Sequence, residues 1–187
     1  MENTRKGFTL VELLAVIVIL AIIMIIAIPS VLGTMTIARK KSFVEYVTKV
    51  YMAAQNKYMS AQTLGQKNLG SSLIGTYHRE YFYIYNIKTD LGLENTGDYK
   101  GYVIVEKPNS TDRNKPRFYV CLCDSDFALI EGTNPFYYYD KEPDSETNIV
   151  DVFSEFKDTI NTFESLASAG GVIDLEGFVN EPVNYND

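Results

Sequence analysis

Two features near the start of the chain carry its clearest chemistry. One is the Gly7–Phe8 junction, which follows the basic pair Arg5-Lys6. The other is Glu12, a carboxylate inside an otherwise apolar run. A carboxylate within a membrane-length helix costs about 2.5 kcal/mol or more at mid-membrane and less near the edge. A plain anchor gains nothing from it, so Glu12 calls for a partner. The nearest useful cation is a free amine, and cutting the chain after Gly7 creates one at Phe8. Within one chain that amine and Glu12 lie about one helical turn apart. Between chains, the carboxylate of one can reach the new amine of another.

The rest of the chain offers no catalytic assembly. His78 is the single histidine of the 187 residues and reads as a loop or surface residue. Cys121 and Cys123 place two thiols on the same face of a strand. Their Cα atoms would be about 6.6–6.8 Å apart, at the edge of what a disulfide tolerates. They read as two small buried hydrophobes. Asp124, Asp126 and the acidic run from Asp140 to Glu146 lack the spacing and glycine of a calcium loop and read as solvated loops. There is no glycine-rich phosphate loop. The sequence therefore implies no cofactor, no metal site and no enzyme.

Charge is divided along the chain. Residues 8–66 hold five Lys/Arg against two Glu, whereas residues 67–187 hold ten Lys/Arg against twenty-one Asp/Glu. An acidic carboxy-terminal part argues against nucleic-acid binding there. It favours solubility and mutual repulsion in water.

The amino-terminal apolar segment has a membrane-spanning length. Every residue from Leu13 to Ile28 is apolar, and Phe8 to Leu32 is interrupted only by Thr9, Glu12, Pro29 and Ser30. At about 1.5 Å per residue this covers a bilayer core of roughly 30 Å. Arg5-Lys6 favours a cytoplasmic start. An ordinary secretory signal is cut at a small-residue site beyond its apolar core. Here no Ala-x-Ala follows the run, and the one small-residue cut lies before it, at Gly7. Processing there leaves the apolar segment on the mature chain.

Lys6-Gly7-Phe8-Thr9-Leu10-Val11-Glu12-Leu13-Leu14 closely resembles the type IV prepilin signature, shared by the pseudopilins of type II secretion and competence systems. The resemblance covers about the first 60 residues. It implies cleavage after Gly7 by a membrane prepilin peptidase and N-methylation of Phe8. It also implies that Glu12 registers incoming subunits by pairing with an amino-terminal amine. The implied partners are other pilin subunits, an inner-membrane assembly platform and membrane lipid. Pro29 stands where the family commonly has a helix-kinking proline. Its own chemistry agrees, because it lacks an amide donor and clashes with the carbonyl of Ile25. The widely separated carboxy-terminal cysteine pair of many Gram-negative pilins is missing.

Beyond Gly33 the pattern becomes amphipathic. Met35, Ala38, Phe43, Val47, Val50, Ala54, Tyr58, Ala61 and Leu64 form one apolar stripe. The helix is expected to continue to about Gln66, where Gly65 and Gly70-Ser71-Ser72 end it. Arg39-Lys40-Lys41 is read either as a contact for lipid headgroups or as a solvated face. Aromatic and β-branched runs at 81–87, 101–106 and 116–123 read as strands, with shorter ones at Phe127–Glu131 and Phe136–Asp140. Pro108 to Pro116 reads as a hairpin loop. Ile149, Val152, Phe153, Phe156, Ile160, Phe163 and Leu166 keep helical spacing, with Gly170-Gly171 as the cap. A last strand is expected over Val172–Val179, and the tail from Glu181 to Asp187 reads as loop. Tyr81, Tyr83 and Tyr85 alternate along a strand and Tyr137-Tyr138-Tyr139 cluster later. Such aromatics either pack the sheet or line an adhesive face.

The expected architecture is α+β. A long amino-terminal helix, half membrane-spanning and half amphipathic, packs on an antiparallel sheet head with a second helix near the carboxy terminus. The expected division is a leader at 1–7, a hydrophobic helix at 8–32, its amphipathic continuation at 33–66 and a head at 67–187. Three functions compete. The first is a structural subunit of a type IV pilus, held in the membrane before assembly and in an extracellular filament afterwards. The second is a pseudopilin of a secretion or DNA-uptake machine. The third is a plain membrane-tethered binding domain.

Overall fold

The structure, a computed structural model, describes residues 7–77, 80–93, 98–108, 115–132, 134–152 and 154–175. The chain divides into two compact units, Met1–Arg39 and Lys40–Asp187. A single helix, α1 (Leu10–Thr63), runs through both in sequence.

In the first unit α1 has no core to pack against. Its apolar side chains from Leu10 to Ile37 are exposed throughout. This stretch is long and apolar enough to cross a membrane, with a mean hydropathy of 3.3 in its best window.

The second unit is built on an eight-stranded sheet. Its strands are β1 (Leu73–Tyr77), β2 (Glu80–Asn86), β3 (Lys100–Glu106), β4 (Arg117–Cys123), β5 (Phe127–Leu129), β6 (Tyr137–Tyr138), β7 (Ile149–Asp151) and β8 (Val172–Asp174). They lie in the order β7-β5-β4-β3-β2-β1-β8, with β6 paired to β4. All pairs are antiparallel except β1–β8, which is parallel. A second helix, α2 (Ser154–Ala169), lies between β7 and β8 in sequence. The fold is α+β, with the expected long helix, sheet and second helix.

Successive strand residues point to opposite faces, and here both faces are covered. Tyr83, Tyr85, Val103, Val105, Val120 and Leu122 join the second half of α1 through Phe43, Val47, Val50, Ala54 and Tyr58. Their neighbours Ile84, Tyr102, Ile104 and Cys121 join Ile160 and Phe163 of α2. This explains why the central strands are continuous apolar runs without the polar alternation of a one-sided sheet.

The end of α1 follows from Gly65, which adopts φ of 63°. Gly65 N–H donates to Gln62 O and Gln66 N–H to Ala61 O, which is the Schellman pairing of a helix end. The expected stripe holds from Phe43 to Ala61. Met35, Ala38 and Leu64, expected on it, are exposed: no core lies beside the first two, and the third falls past the last helical turn.

Three expectations about the head change. Ile149 does not begin the second helix. It pairs with Leu129 at the sheet edge and is buried in the α1-side core, and α2 starts only at Ser154. β1 was not anticipated, because its five residues include Gly75 and follow a turn-rich segment. A Cβ there would lie 2.6 Å from Leu175 Cδ1, so the buried Leu175 side chain would have to shift to admit one. The last strand is described only as Val172–Asp174, and its pairing with β1 makes the sheet mixed. Residues 176–179, the 181–187 tail, residues 109–114 of the expected hairpin, His78 and Phe153 lie outside the described residues.

Candidate assembly site at the amino terminus

The residues before α1 form a short non-helical entry. Gly7, Phe8 and Thr9 precede the first helical residue, Leu10. All three are exposed, Phe8 to 87%. Nothing lies within 4 Å of where a Gly7 Cβ would stand. A peptide bond in that setting is open to a protease active site, which must bind its substrate in extended form.

Thr9 is the N-cap of α1. Its carbonyl accepts the first helical bond, from Leu13 N–H at 3.2 Å. Its hydroxyl accepts from Glu12 N–H at 3.3 Å. In return, Glu12 Oε2 accepts from Thr9 N–H at 2.9 Å and from the Thr9 hydroxyl at 2.8 Å. This is a capping box, in which the residues at the cap and three positions later satisfy each other's unpaired donors. The carboxylate in the first turn also opposes the positive end of the helix dipole.

Glu12 thus has a partner inside its own chain that charge reasoning overlooked. The signal was legible, since Thr-x-x-Glu before an apolar run is the sequence mark of a capping box. Both bonds fall on Oε2, and no described residue bonds Oε1. Cleavage after Gly7 would leave the Thr9 amide and hydroxyl intact, so the box would survive processing. The new amine would sit on Phe8, which lies outside the helix and not within its first turn.

α1 runs through Pro29 as continuous helix. Proline leaves the Ile25 carbonyl without its helical donor. Just beyond, Thr34 hydroxyl donates to Ser30 O and Val31 O at 3.2 and 2.9 Å. Thr36 hydroxyl donates to Leu32 O at 3.1 Å. Such back-bonding competes with the helical ladder, and Gly33 within it adds backbone freedom. These hydroxyl bonds and Gly33 fall in the same stretch of helix as Pro29.

The remaining candidates are structural. Cys121 and Cys123 are free and buried, and burial pushes the Cys121 thiol well above its ordinary range. Tyr83 and Tyr85 are buried while Tyr81 is exposed, so the alternating tyrosines mainly pack the sheet. Asp124 Oδ1 accepts from the backbone N–H groups of Asp126 and Phe127, and Asp144 Oδ1 from Glu146 N–H. These carboxylates hold turns. Among the described residues no group of three potential metal ligands occurs. Lys40 of the Arg39-Lys40-Lys41 cluster faces the head: its Nζ lies 3.4 Å from Ile149 O, 3.8 Å from Asp151 Oδ1 and 5.6 Å from the Phe127 ring centre.

Residues 3–28 match the family model of the prokaryotic N-terminal methylation motif. This is the type IV pilin and pseudopilin signature, and with the apolar helix behind it the chain has the make-up of a membrane-anchored pilin-like precursor. No curated protein and no solved structure matches the chain.

Proposed function

We propose that the chain is a structural subunit of a type IV pilus. Prepilin peptidase removes residues 1–7, and the new amine of Phe8 is methylated. Residues 8–32 hold the precursor in the membrane and then enter the filament core. Residues 33–63 continue the helix, 64–66 close it, and residues 67–187 form the head. The observation that supports this reading best is the exposed, non-helical Gly7-Phe8-Thr9 entry placed directly before a capped apolar helix with Glu12 in its first turn.

The residues divide the work. Gly7 offers the peptidase a junction without a side chain. Thr9 fixes one oxygen of Glu12, leaving Oε1 for the methylated amine of a neighbouring subunit as it docks. Pro29, with Gly33, Thr34 and Thr36 beyond it, marks where the helix yields as subunits pack. Other pilin subunits, the inner-membrane assembly platform and lipid are the partners.

Glu12→Gln tests the role of the charge without removing the cap, because glutamine still offers an oxygen to Thr9 N–H. The variant should insert and be cleaved normally but assemble poorly, as judged by sheared filaments on electron micrographs. Wild-type filament yield would defeat the role given to Glu12. Wild-type filaments confined to the cell envelope would assign the chain to the pseudopilins.

A further inference from the structure

On the α2 side of its sheet the head holds a cavity of about 370 Å³. The inner wall is apolar: Cys123 and Ile160 line it and are buried in the α2-side core. The walls toward solvent are polar. Lys88 and Asp124 there are half-buried, and Asp98, Lys100, Ser125 and Asn161 are exposed. An apolar floor ringed by a few polar groups is the usual form of a small-molecule site. Such sites span about 300–1,000 Å³, so a cavity near the lower end suits a small ligand.

The chain holds these walls in place before any ligand arrives. Lys88 sits on the turn after β2, where Asn86 Oδ1 accepts from Lys88 N–H at 2.9 Å and Asp90 Oδ2 accepts from Asn86 N–H at 2.8 Å. Ser125 sits on the turn between β4 and β5. Asp124 Oδ1 closes that turn by accepting from Asp126 N–H at 2.7 Å and Phe127 N–H at 2.6 Å. Lys100 begins β3 opposite Cys123 at the end of β4, and its Nζ lies 3.7 Å from Glu164 Oε2 on α2. Lys100 is thus matched. Lys88 and Asp98 are not: among the described residues neither forms an ion pair. Asp124 Oδ2 likewise takes no bond from a described residue.

We propose that this cavity binds a small zwitterion, a free amino acid or a dipeptide, with its carboxylate at Lys88 and its ammonium at Asp98 and Asp124. The class follows by elimination. A plain anion would meet Lys88 but face two carboxylates, and a plain cation would meet those carboxylates but face two lysines; like charges brought together oppose binding. An uncharged ligand would take water from Lys88 and leave it without a partner, which also costs free energy. A molecule with both signs satisfies both. Ser125 and Asn161 offer it hydrogen bonds at the rim, and Cys123 and Ile160 receive a short apolar side chain. Because the two turns and Lys100 are already held, little freedom is lost on binding. The site lies within the head alone and does not depend on the filament reading.

The test uses the purified full chain in detergent micelles, with alanine and alanyl-alanine as probes and backbone amide NMR shifts as the readout. At least one probe should give saturable shifts at Lys88, Lys100, Ser125 and Asn161. For the dipeptide, N-acetyl-alanyl-alanine lacks the ammonium and alanyl-alanine amide lacks the carboxylate, and each should bind about tenfold more weakly than the free form. Lys88→Ala and Asp98→Asn should each weaken the probe about tenfold. Both variants should keep the head's thermal midpoint, since neither side chain forms an ion pair with a described residue. The absence of saturable shifts at these four residues would overturn the site. A blocked dipeptide that binds as well as the free one would overturn the zwitterion assignment. Variants that bind both probes like the wild type would show that the binding lies elsewhere and overturn the roles of Lys88 and Asp98.

Discussion

The stretch of α1 up to Arg39 and the head beyond it use the same kinds of side chain to opposite ends. Ile22 in the first is 56% exposed, while Ile84 and Ile104 in the second are fully buried. The head is complete in itself: α1 covers one face of the sheet and α2 the other. In the first unit the described apolar side chains have no such cover. The packed core of the described residues thus belongs to the head, and the proposed assembly role falls on the segment that has none.

The contrast can be broken most sharply in the head. A Cβ at Gly101 would stand 2.0 Å from the carbonyl oxygen of Cys121 on the neighbouring strand, and backbone cannot step aside as a side chain can. Gly101→Ala should cost at least the about 3 kcal/mol at the upper end of overpacked cores and leave little folded head, as measured by circular dichroism. Phe43→Ala, at a fully buried site, should cost about 3–5 kcal/mol in chemical denaturation. The paired control, Ile22→Ala, should leave the head's denaturation midpoint where it was. A shift of the midpoint by Ile22→Ala would show that the two regions are not independent.

Smaller effects sharpen the same contrast. Burial pushes the hydroxyls of Tyr58, Tyr85 and Tyr102 above the usual tyrosine range, and Tyr85 hydroxyl donates to Leu69 O at 2.6 Å. Their folded-state values exceed the unfolded ones. The stability they contribute is thus fully present below about pH 10 and lost as pH rises through the raised values. The head's thermal midpoint should fall on going from pH 9 to about pH 11. The helix before Arg39 has no tyrosine and should keep its helicity in detergent over that range. Thr9→Ala should cost about 1 kcal/mol of helix-end stability. It should speed amide exchange at residues 10–13 and leave the head unchanged.

The sequence made the two regions legible to different depths. The junction, the apolar run and the amphipathic stripe could be read directly, because helical periodicity and membrane length are long-range patterns. Thr9 was missed as a partner of Glu12 because the carboxylate was weighed as a charge and not as a hydrogen-bond acceptor. In the head, β2, β3 and β4 were visible as dense aromatic and β-branched runs. β1 was hidden by Gly75, and β7 by an apolar spacing that also fits a helix. The parallel β1–β8 pair joins residues about a hundred positions apart, a relation that no local pattern encodes. Tyr99 and Tyr139 likewise stack on Tyr46 and Tyr51 of α1 although they lie far from the helix in sequence.

The central claim is that a cut after Gly7 turns a membrane anchor into an assembly element. The most direct test is the mass of the amino-terminal peptide of the mature protein. A peptide that begins at Phe8 and carries a methyl group on its amine is the predicted result. Assembled filaments whose subunits retain Met1 or Glu2 would contradict the account.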